Sequence, residues 1–321
     1  MKRVLVTGAN GFVGVRVLAR LAVAGLDVRA QVRAGPARGA GEVVATGDLA
    51  RYVSASAGQP LLAGVDGVVH HAALTHAGDL EDAAAWRRYE TVNVAVTAAL
   101  AAAAHAGGVA AFVMMSSVKV CGERSPRGAT GWQALSAREP PCPEDNYGRS
   151  KWLAEQALAA HAGGMRTTVL RPPLLYGPGM KGNLPRLFDA VARHRVLPFA
   201  TIDNRRSLLG VDNLADAVCQ ALRDAPHGLA TYTLADVELS TPALVRAVAA
   251  ALDTRARLVP CPPAVLRLGG RLLGRAAAVR RLTESLVCDR DEIAAGLGWR
   301  APRTFADGLA DTAAWYRAWR R

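Results

Sequence analysis

Lysine is almost missing from this chain. Of 39 Lys+Arg residues only Lys2, Lys119, Lys151 and Lys181 are lysine, so each one raises the question of what an arginine could not do there. Aromatic residues make up only 5%, and no aromatic-basic RNA motif, zinc-finger spacing or coiled-coil heptad occurs. The formal charge of +12 comes from arginines spread along the whole length, with no basic tail. That pattern suits anionic small molecules or a weakly anionic surface and argues against nucleic acid as a partner. Paired cysteines are missing too. Cys121, Cys142, Cys219, Cys261 and Cys288 are odd in number and never in a C-x-x-C pair, which suits a reducing cytoplasm and offers no metal site. Met1-Lys2-Arg3 runs straight into a strand and then glycines without a leader-like apolar region, so a cytoplasmic protein is expected. Val94 to Met115 has no charged residue apart from His105 and is long enough to span a membrane. Its Ala-rich first half and the Gly107-Gly108 break instead predict a buried helix, a turn and a buried strand, with no integral membrane segment.

What is present begins with a short β-branched run, Arg3-Val4-Leu5-Val6-Thr7, followed by Gly8-Ala9-Asn10-Gly11-Phe12-Val13-Gly14 and an amphipathic pattern on Val17, Leu18, Leu21 and Ala22. Strand, glycine turn and helix in that order form a dinucleotide-binding context. Gly8 allows the tight turn, Gly11 admits the pyrophosphate to the backbone, and Gly14 lets helix and strand approach. The second strand, Val28 to Val32, lacks a terminal acid for an adenosine ribose: Val32 and Arg33 stand there. An arginine attracts a 2′-phosphate where a carboxylate would repel it, so NADP(H) is favoured with NAD(H) as the alternative. A surface role for Arg33 is the plainer reading.

Further strands are expected at Val43 to Leu49, at Val65 to Ala73 and at Ala111 to Met115. Asp48, next to Leu49, could accept from the adenine amino group or cap a helix, and Ala72 and Ala73 could lie flat against the cofactor. Alternating strands and helices with continuous apolar strands predict an α/β fold: a Rossmann-like, doubly wound parallel sheet. Ligands bind off the carboxyl ends of such strands, where Gly8, Asp48, Ala72 and Ser117 all fall. Ser117 is a candidate to bond a substrate oxygen, although serines at strand ends are often turn residues. Beyond it Tyr147-Gly148-Arg149-Ser150-Lys151 opens a helical pattern. Residues i and i+4 share a helix face, and a nearby ammonium lowers a phenol pKa that is normally about 10. A tyrosine so placed can exchange a proton with an alcohol or carbonyl.

As a set, G-x-x-G-x-x-G at 8–14, Asp48, His71-Ala72-Ala73, Asn93-Val94, Ser116-Ser117 and Tyr147-x-x-x-Lys151 resemble the extended short-chain dehydrogenase/reductase family, in its NAD-dependent epimerase/dehydratase branch. The resemblance implies that Ser117 polarises the substrate oxygen, Tyr147 is the general acid/base, and Lys151 tunes it and holds the nicotinamide ribose. It places Asn93 among the residues that organise the site. It also implies a cofactor domain at 1–172, to which a segment at about 205–240 returns, and a smaller α/β lobe, mainly 173–321, for substrate. Arg171-Pro172 through Gly179 is similar to the family's hinge. Asn183 and Arg206 match positions that contact a nucleotide-sugar diphosphate, and a homodimer is a family expectation.

Two stretches depart from the better-known epimerases. Lys119 could reach a substrate hydroxyl or snorkel to solvent. Pro263 to Leu286 sets Arg267, Arg271 and Arg275 among leucines. Such a helix can lie on anionic membrane; the expectation is that its leucines pack on the substrate lobe while its arginines face a diphosphate. The reading is an NAD(P)-dependent oxidoreductase that reduces a UDP-linked 4-keto-6-deoxy-hexose at C4 for polysaccharide synthesis. The alternative is a UDP-hexose 4-epimerase on tightly held NAD. A remote alternative, a non-catalytic NADP-binding sensor, predicts a broken Tyr/Lys pair, and here the pair is intact.

Overall fold

The computed structural model describes residues 1–56, 59–75, 82–129 and 131–320. Its centre is a seven-stranded sheet built from β1 (Arg3–Thr7), β2 (Asp27–Val32), β3 (Glu42–Ala45), β4 (Gly67–His70), β5 (Ala111–Met115), β6 (Arg166–Arg171) and, further along, a strand at Gly228–Thr233. In between, the chain forms β7 (Leu174–Tyr176) and β8 (Arg206–Gly210), so the 228–233 strand is β9, and Val237–Leu239 is β10. The sheet order is β9-β6-β5-β4-β1-β2-β3, and every adjacent pair is parallel. The strand order reverses at β1, so a crevice opens beyond the carboxyl ends of β1 and β4, the switch point where such sheets bind ligands. The doubly wound parallel sheet expected from the sequence is therefore the fold.

Both faces are covered. On one side α1 (Phe12–Val23) and a helix at Val211–Asp224 lie over the sheet; on the other lie α2 (Leu49–Ser56), α4 (Val96–Ala106) and α5 (Asn146–Ala159). A short α3 (Ala83–Tyr89) leads into a π-helical turn, Glu90–Ala95, before α4. β4 and β5 are buried along their whole length, which is why their sequence is continuously apolar instead of alternating. The uncharged 94–115 stretch resolves into the helix, turn and strand expected of it. No helix among the described residues is long and apolar enough to cross a membrane.

After β6 the chain builds a second core. β8 pairs with β7 in parallel and with β10 antiparallel, and α6 (Asn183–Ala192) packs there with α8 (Thr241–Ala251) and α12 (Phe305–Trp319). Between β8 and β10 the chain crosses back: α7 (Val211–Asp224) packs on α1, and β9 extends the main sheet. An ion pair, Arg20 to Asp216 at 2.8 Å, joins α1 to α7, and Trp299 beyond α11 (Asp291–Leu297) donates to the same Asp216.

One expectation fails. The segment after Pro262 forms α9 (Pro263–Leu272) and α10 (Ala276–Thr283), but Leu268, Leu272 and Leu273 do not pack on the lobe. Leu268, Leu272 and Leu273 are 59%, 78% and 75% exposed. The hairpin closes on itself, with Val279 against Gly270, and the lobe core is already filled by α6, α8 and α12.

Candidate active site

The first glycine of the turn holds a positive φ of 67°, and a β-carbon there would approach Ala72 and the His71 ring at 3.2 to 3.3 Å. A β-carbon on Gly14 would stand 2.5 Å from the Ala9 carbonyl, so only glycine lets α1 start this close to β1. Gly11 precedes α1 with no side-chain cap, and no acid lies in the helix's first turn. The free N–H groups and positive dipole end of α1 form a ready anion site, and Phe12 and Val13 sit at its mouth. Gln31 braces the turn by accepting from Gly8 N–H at 2.9 Å, and Asn10 donates to Ala34 O at 2.9 Å.

The crevice continues as a groove of about 800 Å³. Asp48 and the exposed Arg33 line it with Arg51, Arg87 and Arg88, and Ala73 forms part of its floor. One Asp48 oxygen caps α2, accepting from Ala50 N–H at 2.9 Å. This is the capping role. Leu49 is half-buried at the helix start.

Three elements converge at the end of β5. Asp145 caps α5 by accepting from Gly148 N–H at 2.7 Å, so Tyr147 lies in the first turn and Lys151 one turn on. The Ser117 hydroxyl neighbours the Tyr147 phenol and favours its ionised form. Lys151, 4% exposed, donates to the Met115 carbonyl at 2.7 Å. Burial pushes its ammonium down to about 8, against the opposing pull of Glu155. The sequence expectation that Lys151 lowers the phenol is not met here. Burial of the hydroxyl, then the Asp145 carboxylate, push Tyr147 up, and the neighbouring Ser117 hydroxyl works the other way. Lys151 uses one donor on the strand end, at Met115 O.

Asn93 lies in the π-helical turn, a deformation frequent at functional sites. Its buried amide accepts from Leu74 N–H at 2.8 Å and donates to Leu74 O at 3.0 Å and Ser150 Oγ at 2.9 Å. It thus ties the chain leaving β4 to the tyrosine helix. His70 is fixed between two threonines. Thr97 donates to Asn93 O, so it accepts from His70 Nε2 at 3.0 Å, while Thr7 serves Nδ1 at 2.9 Å. Burial, then the Lys151 charge, hold His70 near 3 and His71 near 4.

Lys119 does not snorkel free. It pairs with Glu123 and with Asp145, so its ammonium is committed to the acid that caps the tyrosine helix. Asn183 is exposed at the uncapped start of α6. Arg206 donates to the Glu284 carbonyl at 3.2 Å and has no ion pair among the described residues. Burial, with the like charge of Arg281 acting in the same direction, lowers its pKa.

Sequence reasoning passed over the layer beneath. Glu155, one turn past Lys151, accepts from Arg171 at two points, 3.0 and 2.6 Å, and Ser116 also bonds it. Two ionisable residues buried to about 5% signal a constructed charge site; the only trace in the sequence was Glu155 at i+4 from Lys151. His71 was noted only as part of a motif.

Whether a nicotinamide dinucleotide fits can be judged from these features. The cradle at Gly8 and Gly14, the uncapped N-terminus of α1 and the buried Nε2 of His71 beside the turn, which has no partner among the described residues, all accommodate one. No group of His, Cys, Asp or Glu among the described residues could hold a metal ion.

The family model for the NAD dependent epimerase/dehydratase family matches residues 4–234. A UDP-glucose 4-epimerase from Vibrio cholerae is 34% identical over 97% of this chain and 94% of its own. An N-acetyl-alpha-D-glucosaminyl-diphospho-ditrans,octacis-undecaprenol 4-epimerase from Escherichia coli O157:H7 is 27% identical, covering 96% of this chain and 93% of its own. Among solved structures, MoeE5 in complex with UDP-glucuronic acid and NAD superposes with a TM-score of 0.78 at 25% identity, covering 98% and 99% of the two chains.

Proposed function

This chain belongs to the NAD dependent epimerase/dehydratase family, an NAD-dependent enzyme of the extended short-chain dehydrogenase/reductase type, and we propose that it acts at C4 of a diphosphate-linked hexose as a 4-epimerase. The observation that carries the reading is the meeting of Ser117, Tyr147 and the buried Lys151 at the end of β5, beside the dinucleotide cradle. A nicotinamide bound there supplies the hydride acceptor and donor. Ser117 and Tyr147 would hold the oxygen of the reacting carbon. Once the nearby Lys151 charge and a bound nicotinamide cation favour its ionised form, Tyr147 would take the proton as the alcohol becomes a ketone and return it afterwards. Lys151, charged below about pH 8, stabilises negative charge forming nearby and is placed to bond a ribose. Arg206, with no carboxylate partner, and the amides at Asn183 offer the cationic and dipolar contacts a diphosphate needs. The 4-epimerase names of the two relatives, at nearly full coverage of both chains, move this reading ahead of the 4-keto-sugar reductase.

The reductase remains the second reading for a specific reason. Arg33, Arg51, Arg87 and Arg88 surround the adenosine end of the groove, and no acid ends β2. That rim suits the 2′-phosphate of an NADP(H) that exchanges each turnover.

The test is to purify the protein without added nucleotide, denature it and identify what is released. Near-stoichiometric NAD, together with interconversion of UDP-glucose and UDP-galactose or their N-acetyl forms, supports the epimerase. An empty protein that consumes NADPH with a UDP-4-keto-6-deoxy-hexose overturns it in favour of the reductase. Tyr147→Phe should lower turnover by about 10² or more in either case while cofactor affinity is kept.

A further inference from the structure

The α9–α10 hairpin presents a surface that the fold does not use. Val265, Leu268 and Leu272 are three and four residues apart, so they form one stripe along α9, and Leu273 follows directly. They are 57%, 59%, 78% and 75% exposed. Leu266 and Gly270, also four apart, form the inward stripe, and Gly270 is the one buried residue of α9. The apolar stripe therefore points away from the protein, and α10 has no buried residue. Single exposed apolar residues need no explanation, but three on one helix face with a fourth at its end do.

The charges around the stripe identify its occupant. Arg267, Arg271, Arg275, Arg280 and Arg281 are exposed, and none has an ion pair among the described residues. The sequence has no Asp or Glu between Asp253 and Glu284. A second copy of this chain would bring arginines against arginines. A soluble anion would leave the leucines in water. An anionic bilayer satisfies both features: leucines enter the boundary between headgroups and acyl chains, and arginines with apolar stems meet phosphates at its surface.

The base of the hairpin is anchored. Asn204 donates to the carbonyls of Leu282 and Glu284, and Thr241 donates to Leu282. Arg206 holds Glu284 from β8 and feels the charges of Arg281 and Glu123, and Glu123 is the partner of Lys119. The tip is thus free to enter a surface while the base adjoins the substrate side of the site.

We infer that the α9–α10 hairpin docks this protein on an anionic phospholipid membrane, with its substrate lobe against the bilayer. The inference stands on the hairpin alone and holds whichever C4 reaction the site performs.

The test is co-sedimentation of the full chain with vesicles of phosphatidylcholine alone or mixed with phosphatidylglycerol. Binding should appear only with the anionic vesicles and weaken as salt is raised. The double variant Leu272→Glu/Leu273→Glu should lose affinity by about tenfold or more, and Arg271→Glu/Arg275→Glu by at least about as much. Both pairs are exposed, so circular dichroism and NADH binding should match the parent. A parent protein that stays in solution with both vesicle types overturns the inference, as does equal binding by the leucine variant. If the parent ignores vesicles but sediments as a dimer that the leucine variant abolishes, a second copy is the occupant and the inference also falls.

Discussion

Glu155 and Arg171 form a two-point ion pair, 5 to 6% exposed, one helical turn beyond Lys151. The pair links the helix carrying Tyr147 and Lys151 to the end of β6, where the chain leaves for the second lobe. Glu155 also raises the Lys151 pKa against the burial that lowers it to about 8. Glu155→Gln removes that support, so the ammonium should lose its proton at lower pH. Activity that needs a charged Lys151 fades as pH rises through about 8 in the parent. In the variant the alkaline limb of kcat/KM should move below that. Leaving Arg171 unpaired should also cost about 3 to 5 kcal/mol of stability, readable by urea denaturation. A limb that stays in place would show Glu155 to be structural only.

Lys119 acts on Tyr147 through Asp145. The carboxylate caps the tyrosine helix at 2.7 Å and also raises the phenol pKa; burial opposes its ionised form, but Lys119 outweighs this and holds it low. Asp145→Asn keeps a side chain able to cap and removes the negative charge. Tyr147 should then titrate lower, read as the tyrosinate absorbance that Tyr147→Phe abolishes. Lys119→Ala should move the Asp145 titration upward and narrow the acid side of the pH–rate profile. Lys119→Arg should rescue it partly.

Stability should fall on the acid side because of His70. It is held neutral in the folded state, near 3, against about 6.5 when unfolded. Between these values the unfolded chain binds the extra proton, so stability is fully present above about 6.5 and declines as pH falls toward 3. At pH 5 His70 alone should contribute a loss of about 2 kcal/mol relative to pH 7. His70→Gln should flatten this slope in denaturation series at stepped pH. An unchanged slope would assign the acid limb to other groups, His71 first.

Cofactor choice should be read at Arg33. It is exposed at the rim of the groove with Asp48, so Arg33→Ala should leave folding untouched. It should weaken NADPH by about tenfold while changing NADH little, because only the 2′-phosphate offers it a charge partner. Equal changes for both cofactors, measured by fluorescence titration, would remove the basis for an NADP(H) preference.

The sequence by itself determined the layer order and the crevice. Short apolar runs bounded by turn residues read as strands buried on both faces, and Gly8 and Gly11 between β1 and α1, with Gly14 inside α1, fix the turn. Tyr147 and Lys151 were legible because i+4 spacing is local, as was the amphipathic character of α9. Only the tertiary structure decided where those local faces point. It bonded Lys151 to the Met115 carbonyl, committed Lys119 to Asp145, and placed Arg171 against Glu155 across 16 residues of chain. It also turned the leucines of α9 outward, because a helix's apolar face is set by its own sequence, whereas what covers it depends on whether the neighbouring core still has room.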